Sequence, residues 1–248
     1  MSDVSQWPEA VLSPQYWGWL LQGWLMTIWA TLIVVVFSSV LGVFLAVARS
    51  SAQAWLQWLA RLYLSLFRNT PLLVQLFFWY FGLPALLPES VVAWLNTEHV
   101  LGLGLGFAQL SWPSFEFIAA IIGMIFYSTA YVGEEIRAGF NGVAPTQINA
   151  GLALGMQRPQ VLRYIVLPQA LAIIKPALFG QYMNIAKNTS LGMAVGLMEL
   201  SYRSRQAESE TFMSFQVYGI GTVLYILLVI AIGMVGRKLG RRKAWQGA

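Results

Sequence analysis

Cysteine is absent and histidine occurs once in the 248 residues. Without thiols the chain can form no disulfide, iron–sulfur cluster or thiolate zinc site. Charge is scarce as well: 10% of residues are Asp, Glu, Lys or Arg, against about 25% in an average soluble domain. No G-x-x-x-x-G-K-[ST] stretch occurs, so ATP hydrolysis on a P-loop of this chain is excluded. The L-G-L-G-L-G run at 101–106 follows no predicted strand and carries no nucleotide signal. Glu134 and Glu135 are adjacent, but no nucleophile, ligand cluster or second histidine accompanies them. The chain therefore reads as a non-enzyme.

What is present is apolar. Hydrophobic residues make up 58% of the chain. Residues 24–48, 69–88 and 211–236 are free of charge, and 117–133 is free up to Glu134. A run of roughly 20 apolar residues crosses the hydrocarbon of a bilayer. A further stretch near 176–198 carries Lys187 close to its middle. These runs predict one all-α membrane domain over 1–248, a bundle of about five spans at 20–48, 62–87, 115–138, 174–198 and 211–236. The first run is too long for a signal-peptide core, so no cleavable signal is expected. Trp17 and Trp19 suit an outer interfacial belt, and 84–112 is expected to be an outer loop.

Basic residues supply an orientation. None precedes Arg49, and the loop after the second span holds Glu89, Glu98 and His99 without Lys or Arg. Arg49 and Arg61 fall in the first short loop, Arg158 and Arg163 in the longest loop, and Arg237, Lys238, Arg241, Arg242 and Lys243 after the last span. Basic residues are retained in the cytoplasm. The expectation is an N-terminus outside, a C-terminus inside, and an odd number of spans. Arg203 and Arg205, set among three glutamates at 199–210, mildly violate the rule. The net charge of +5 is then a matter of topology, with contact to membrane lipid and none to nucleic acid.

The inner loop, about 141–172, is the most distinctive segment. Residues 149–168 read N-A-G-L-A-L-G-M-Q-R-P-Q-V-L-R-Y-I-V-L-P. Two helical pieces, near 147–154 and 160–166, flank Gly155. Glycine suits the left-handed residue that ends a helix, and Pro159 suits a first turn. Pro168 is expected to stop the second piece. The prediction is a cytoplasmic helix-turn-helix.

Polar residues inside apolar runs mark the other candidates. Arg68, Asn69 and Thr70 precede Pro71, which should kink the second span. Arg68 would snorkel toward the cytoplasmic end, and Gln75 should face the bundle interior. Glu134 and Arg137, at i and i+3, can pair on one helix face as a capping or gating pair. Asn184, Lys187, Asn188, Thr189 and Ser190 place a charge and several polar groups near mid-membrane. Such a charge costs at least about 2.5–3.5 kcal/mol on insertion scales, which favours an aqueous path over a purely structural bond between helices.

Several of these strings resemble one family. The inner loop is similar to the cytoplasmic motif of ABC-importer permeases: Glu-Ala-Ala, three residues, Gly, nine residues, Ile, one residue, Leu-Pro. Ala150, Gly155, Ile165, Leu167 and Pro168 fall in register, while Asn149 stands for the Glu and Gly151 for the second Ala. The strings R-N-T-P-L-L-V-Q-L-F-F-W-Y at 68–80, Ala130–Tyr131 with Glu134 and Arg137, and K-N-T-S-L at 187–191 resemble the polar-amino-acid uptake branch. The likeness covers about residue 23 to the C-terminus.

The resemblance implies a five-helix permease that pairs with an identical or sister permease. Two ATPase subunits, carrying the ATP and Mg²⁺, would dock at a coupling loop containing Asn149, Ala150, Gly151, Gly155, Arg158, Leu167 and Pro168. An extracytoplasmic binding protein would deliver the amino acid. Arg68, Asn69, Gln75, Asn184 and Lys187–Ser190 would line the substrate path. The W-Y-F-G-L-P-A-L-L-P-E run at 79–89 looks most like glutamate/aspartate permeases, and cationic Lys187 suits a dicarboxylate. Glutamine or a basic amino acid is the alternative. From other classes, an ion-coupled transporter would need internal repeats with paired broken helices, which the chain does not display, and a scaffold would not need the mid-membrane K-N-T-S.

Overall fold

Thirty-six residues from Pro14 to Arg49 form one helix, α1. Pro14 occupies its first turn, where a missing N–H costs nothing, and Arg49 faces the negative end of the helix dipole in its last. The structure, a computed structural model, describes residues 12–95, 97, 100–102, 109–111 and 114–240. After α1 come α2 (Ala54–Asn69), α3 (Leu72–Phe77) and α4 (Glu89–Leu95). A short antiparallel pair follows, β1 (Val100–Gly102) with β2 (Gln109–Ser111). The remaining helices are α5 (Phe115–Asn141), α6 (Pro145–Ala153), α7 (Arg158–Val161), α8 (Leu167–Asn188), α9 (Leu200–Thr211) and α10 (Ser214–Gly240). The expected all-α class holds. Of the glycine-rich run, Leu101 and Gly102 belong to β1, and 103–106 lie outside the described residues. So do Asp3, Glu9, Glu98, His99 and the basic residues from Arg241 onward.

Among the described residues, four helices are long and apolar enough to cross a membrane: Pro14–Arg49, Phe115–Asn141, Arg158–Val195 and Ser214–Leu239. The second expected span, 62–87, is not one continuous helix. α2 ends at Asn69, Pro71 starts a new segment, and α3 passes into a π-helical turn at Phe78–Gly82 and a 3-10 turn at Pro84–Leu86. Pro71 has no N–H for the ladder, so the break falls there. The exposed backbone is met locally: Gln75 Nε2 donates to the Thr70 carbonyl at 3.1 Å and to Thr70 Oγ1 at 2.7 Å.

Pro168 does not stop its helix, contrary to expectation. The chain runs on from α7 through a π-helical turn at Leu162–Val166 into α8. The wider turn ends where the Leu167 N–H bonds the Leu162 carbonyl. It falls just before the proline, whose missing N–H and bulky ring do not suit the regular ladder. The stretch 199–210, expected as a loop, is largely α9.

The chain divides into two compact units, with boundaries inside α1, α5 and α10, at the end of α2 and at the last residue of α8. One contains residues 1–30, 70–124 and 188–224. In it α9 lies on the first half of α1 so closely that a Cβ on Gly23 would sit 2.9 Å from Leu200 Cα. Thr27 Oγ1 accepts from the Leu200 N–H at 3.1 Å and donates to Glu199 Oε2 at 3.4 Å. Glu199, fully buried, caps α9 by accepting from the Tyr202 N–H at 2.9 Å. Leu76 and Trp79 close over Gly123 of α5.

The other unit contains 31–69, 125–187 and 225–248. Its core includes Ala46, Val132, Ile136, Val166, Ala170 and Ile174. α1 crosses α5 where Gly42 meets Gly133, and α5 meets α8 where Gly139 meets Ile174. Lipid tails are as apolar as leucine, so burial alone drives little association between spans. Close backbone approach at small residues supplies the packing instead. Tyr63 of α2 donates to the Phe126 carbonyl of α5, and Ser39 and Tyr182 hydroxyls bond at 2.9 Å.

Candidate functional site

The 145–168 segment is built around Gly155. Its φ of 84° lies in the left-handed region, which glycine enters without a Cβ penalty. The Met156 N–H bonds the Gly151 carbonyl at 3.1 Å and the Gly155 N–H bonds Leu152 at 3.0 Å. This pair of bonds closes the end of α6 in a Schellman turn. The Gln157 N–H then donates to Gln160 Oε1 at 2.8 Å at the start of α7. Gly151 is buried, and a Cβ there would meet Ile165 Cδ1 at 2.6 Å and Val161 Cγ2 at 3.0 Å. α6 is thus folded back on the α7 segment, and the alanine of the family pattern would require the tip of the Ile165 side chain to shift. Asn149, Ala150, Arg158, Leu167 and Pro168 are exposed. So are Leu154 (83%) and Tyr164 (64%). Reading the sequence singled out neither, although an apolar residue just before a turn glycine is the available signal.

Glu134 and Arg137 do pair, and in bidentate fashion: Arg137 Nε and Nη2 reach the two carboxylate oxygens at 3.0 and 2.9 Å. Arg49, from the end of α1, adds an ion pair at 3.6 Å. Arg68 stacks its guanidinium 5.4 Å from the centre of the Tyr131 ring, one turn away on α5. Pairing between neighbours in the helix was legible; recruitment of Arg49 was not, because it depends on where α1 ends against α5. Glu135 accepts from Gln181 Nε2 of α8 at 3.4 Å.

The remaining polar candidates are separated. Asn69 Nδ2 donates to Ser65 Oγ at 3.2 Å on α2, and Gln75 is buried beside Thr70. Asn184 and Lys187 are exposed near the end of α8, Asn188 and Ser190 are half-buried, and Thr189 is fully buried. At Thr189 the chain tightens into a 3-10 helix to Val195, and Gly196, with a φ of 86°, turns it toward Glu199.

Long apolar helices joined by a compact, glycine-turned helix pair with exposed leucine and arginine define a helical membrane permease. The chain belongs to the binding-protein-dependent transport system inner membrane components, the permease subunits of ABC importers; residues 38–244 match that family. It is 29% identical over 228 residues to the glutamate/aspartate import permease protein GltJ of Escherichia coli K12, covering 90% of this chain and 88% of that one. It is 33% identical over 223 residues to the probable glutamine ABC transporter permease protein GlnM of Bacillus subtilis, covering 90% and 92%. Among solved structures, an amino acid ABC transporter crystallised with histidines is similar at a TM-score of 0.76 and 27% identity, covering 92% of this chain and 96% of that chain.

Proposed function

We propose that the chain is the membrane permease of an ATP-driven importer for a polar amino acid, glutamate or aspartate first among them. The observation that carries the reading is the continuity of α7, the π-helical turn and α8. A helix that begins beside the Gly155 turn runs to Lys187, about 45 Å at 1.5 Å per residue. An ATPase dimer gripping Leu154 and its neighbours from the cytoplasm would move the near end of this lever. The far end carries Asn184, Lys187 and Asn188, with Thr189 and Ser190 just beyond. Closure of the ATPases would then change access to that polar stretch.

In this reading the N-terminus is outside and the C-terminus cytoplasmic. The broken α2–α3 segment serves as the second of five crossings in a single permease domain. An identical or sister permease completes the path, a binding protein delivers substrate from outside, and ATP with Mg²⁺ sits on the ATPases. The likeness to GltJ and the cationic Arg68 and Lys187 favour a dicarboxylate. The somewhat higher identity to GlnM favours glutamine as the second reading.

Purification of the tagged chain with whatever it retains, followed by reconstitution with its binding protein, tests the proposal. ATP-dependent uptake of labelled glutamate or aspartate above glutamine and arginine is expected. Uptake of glutamine alone would replace the substrate, and a clean chain with no ATPase retained would overturn the importer.

A further inference from the structure

A groove of 360 Å³ lies between α1, α2 and α5, and every residue lining it belongs to the unit that contains 31–69 and 125–187. Phe44 and Ala48 form one wall, Leu56 and Ala60 a second, and Phe126 and Thr129 the third. Its surface is almost wholly apolar. The Tyr63 hydroxyl at its edge is spent on the Phe126 carbonyl. A polar amino acid would find too few partners there to replace those it leaves in water.

The groove is open along its rim: Phe44 is 67% exposed, Leu59 47% and Leu41 38%. Phe44 lies on α1, which is long and apolar enough to cross a membrane. It shares an outer stripe of that helix with exposed Val36, Val40, Val43 and Val47. The medium along that rim is hydrocarbon. From Leu41 to Ala48 the groove follows α1 for about 10 Å, at 1.5 Å per residue. A helix of that length and about 10 Å across needs about twice the space available, so a neighbouring span does not seat in it. An extended hydrocarbon chain does.

One end of the groove is polar. Ala48 and Leu56 flank the turn between α1 and α2, which Gln57 pins by donating from Nε2 to the Ser51 carbonyl at 2.7 Å. Arg49 follows Ala48 at this end. Its Nε has no hydrogen-bond partner among the described residues and reaches Glu134 only at 3.6 Å. Arg137 already takes both oxygens of that carboxylate, and Arg68 acts on it as well. The charge of Arg49 is therefore not cancelled, and a basic residue beside an apolar slot between membrane helices suits a lipid headgroup.

We infer that the groove binds a phospholipid of the membrane, one acyl chain lying between α1, α2 and α5 and the phosphate beside Arg49. The chain fills the space that the three helices leave open, and the phosphate supplies the anion that Glu134 supplies only in part. The site is independent of which amino acid the protein carries.

A phospholipid bearing a diazirine on one acyl chain tests it. The purified protein, with the chains it retains, is reconstituted in vesicles of phosphatidylethanolamine doped with diazirine-bearing phosphatidylglycerol, irradiated and digested, and the adducts are located by mass spectrometry. Residues 41–60 are expected to carry at least about fivefold more adduct than 226–235, a comparably exposed stretch of α10 whose residues do not line the groove. Ala48→Phe and Leu56→Trp, which fill the groove from its rim, should each bring the two stretches level. Arg49→Gln should lower the yield from the phospholipid about fivefold and leave unchanged the yield from a diazirine-bearing diacylglycerol, which has no phosphate. Equal labelling of 41–60 and 226–235 in the parent protein is ordinary boundary lipid and would overturn the site. So would a bare 41–60, covered by a neighbouring chain, or full labelling in both filled variants. An Arg49→Gln effect that is the same for both lipids would remove the phosphate contact.

Discussion

The Nε of Arg49 sits 3.6 Å from Oε1 of Glu134, tying the last residue of α1 to the middle of a charged cluster on α5. Glu134 thereby holds two arginines, since Arg137 also grips it through two hydrogen bonds. The carboxylate is 19% exposed and the arginines 23% and 27%, so the group is only partly screened by water. One anion between two cations joins the end of α1 to α5, two helices that are distant in sequence.

Replacing Glu134 by Gln leaves both arginines without their counter-charge. A loss of about 1.5–3 kcal/mol, the usual worth of hydrogen bonds to charged groups, is expected. The melting temperature in detergent should fall by several degrees, and Arg49→Gln alone should cost clearly less than Arg137→Gln because its contact is longer. Unchanged melting of the Glu134→Gln variant would show that the cluster holds nothing together.

The crossing of α1 and α5 depends on two glycines. A Cβ on Gly133 would lie 2.9 Å from Leu45 Cδ2 and 3.2 Å from the Gly42 carbonyl. Gly133→Ala should cost about 1–3 kcal/mol as overpacking, and Gly133→Leu should prevent recovery of a monodisperse protein. A Gly133→Leu variant that elutes and melts like the parent would refute the close approach.

Thr27 makes α9 part of the structure rather than a loose outer segment. Its hydroxyl accepts from the Leu200 N–H and donates to buried Glu199. Thr27→Val removes both bonds in an isosteric change, at about 1–3 kcal/mol for the buried groups left unpaired. Amide exchange across 200–211 should accelerate, while Thr27→Ser restores protection. Exchange unaltered by Thr27→Val would assign the docking of α9 to packing at Gly23 instead.

Gly155 has open space around it, with nothing within 4 Å of a Cβ position. Substitution there meets backbone strain only, about 1–2 kcal/mol for an ordinary residue in the left-handed region. Asparagine, which tolerates that region, should preserve coupling of ATP hydrolysis to uptake better than valine. Gly155→Asp should insert and assemble yet uncouple, because it adds a charge at the surface proposed to meet the ATPase. Full uptake by Gly155→Asp would remove the turn from the mechanism.

Much of this protein is legible along the chain. Helices α1, α5 and α10 follow from charge-free runs, because apolar length is a property of contiguous residues. The turn at Gly155 follows from local backbone preference, and the Glu134–Arg137 pair from helical spacing. Pro71 foretold a kink in the second span, but the full split into α2 and α3 was not legible, because hydropathy averages over the proline. The helix past Pro168 was missed for the opposite reason: a π-helical turn admits a proline that a regular helix would reject.

The amino-acid sequence alone thus determined membrane class, the glycine turn at 155 and which residues are polar within apolar runs. Each of these rests on composition or on spacing within one helix. Only the tertiary structure decided that Arg49 joins Glu134, that Gly151 packs against Ile165, and that Glu199 closes on Thr27. Those outcomes depend on which helix surfaces meet and how closely, and no pattern along a single helix carries that information.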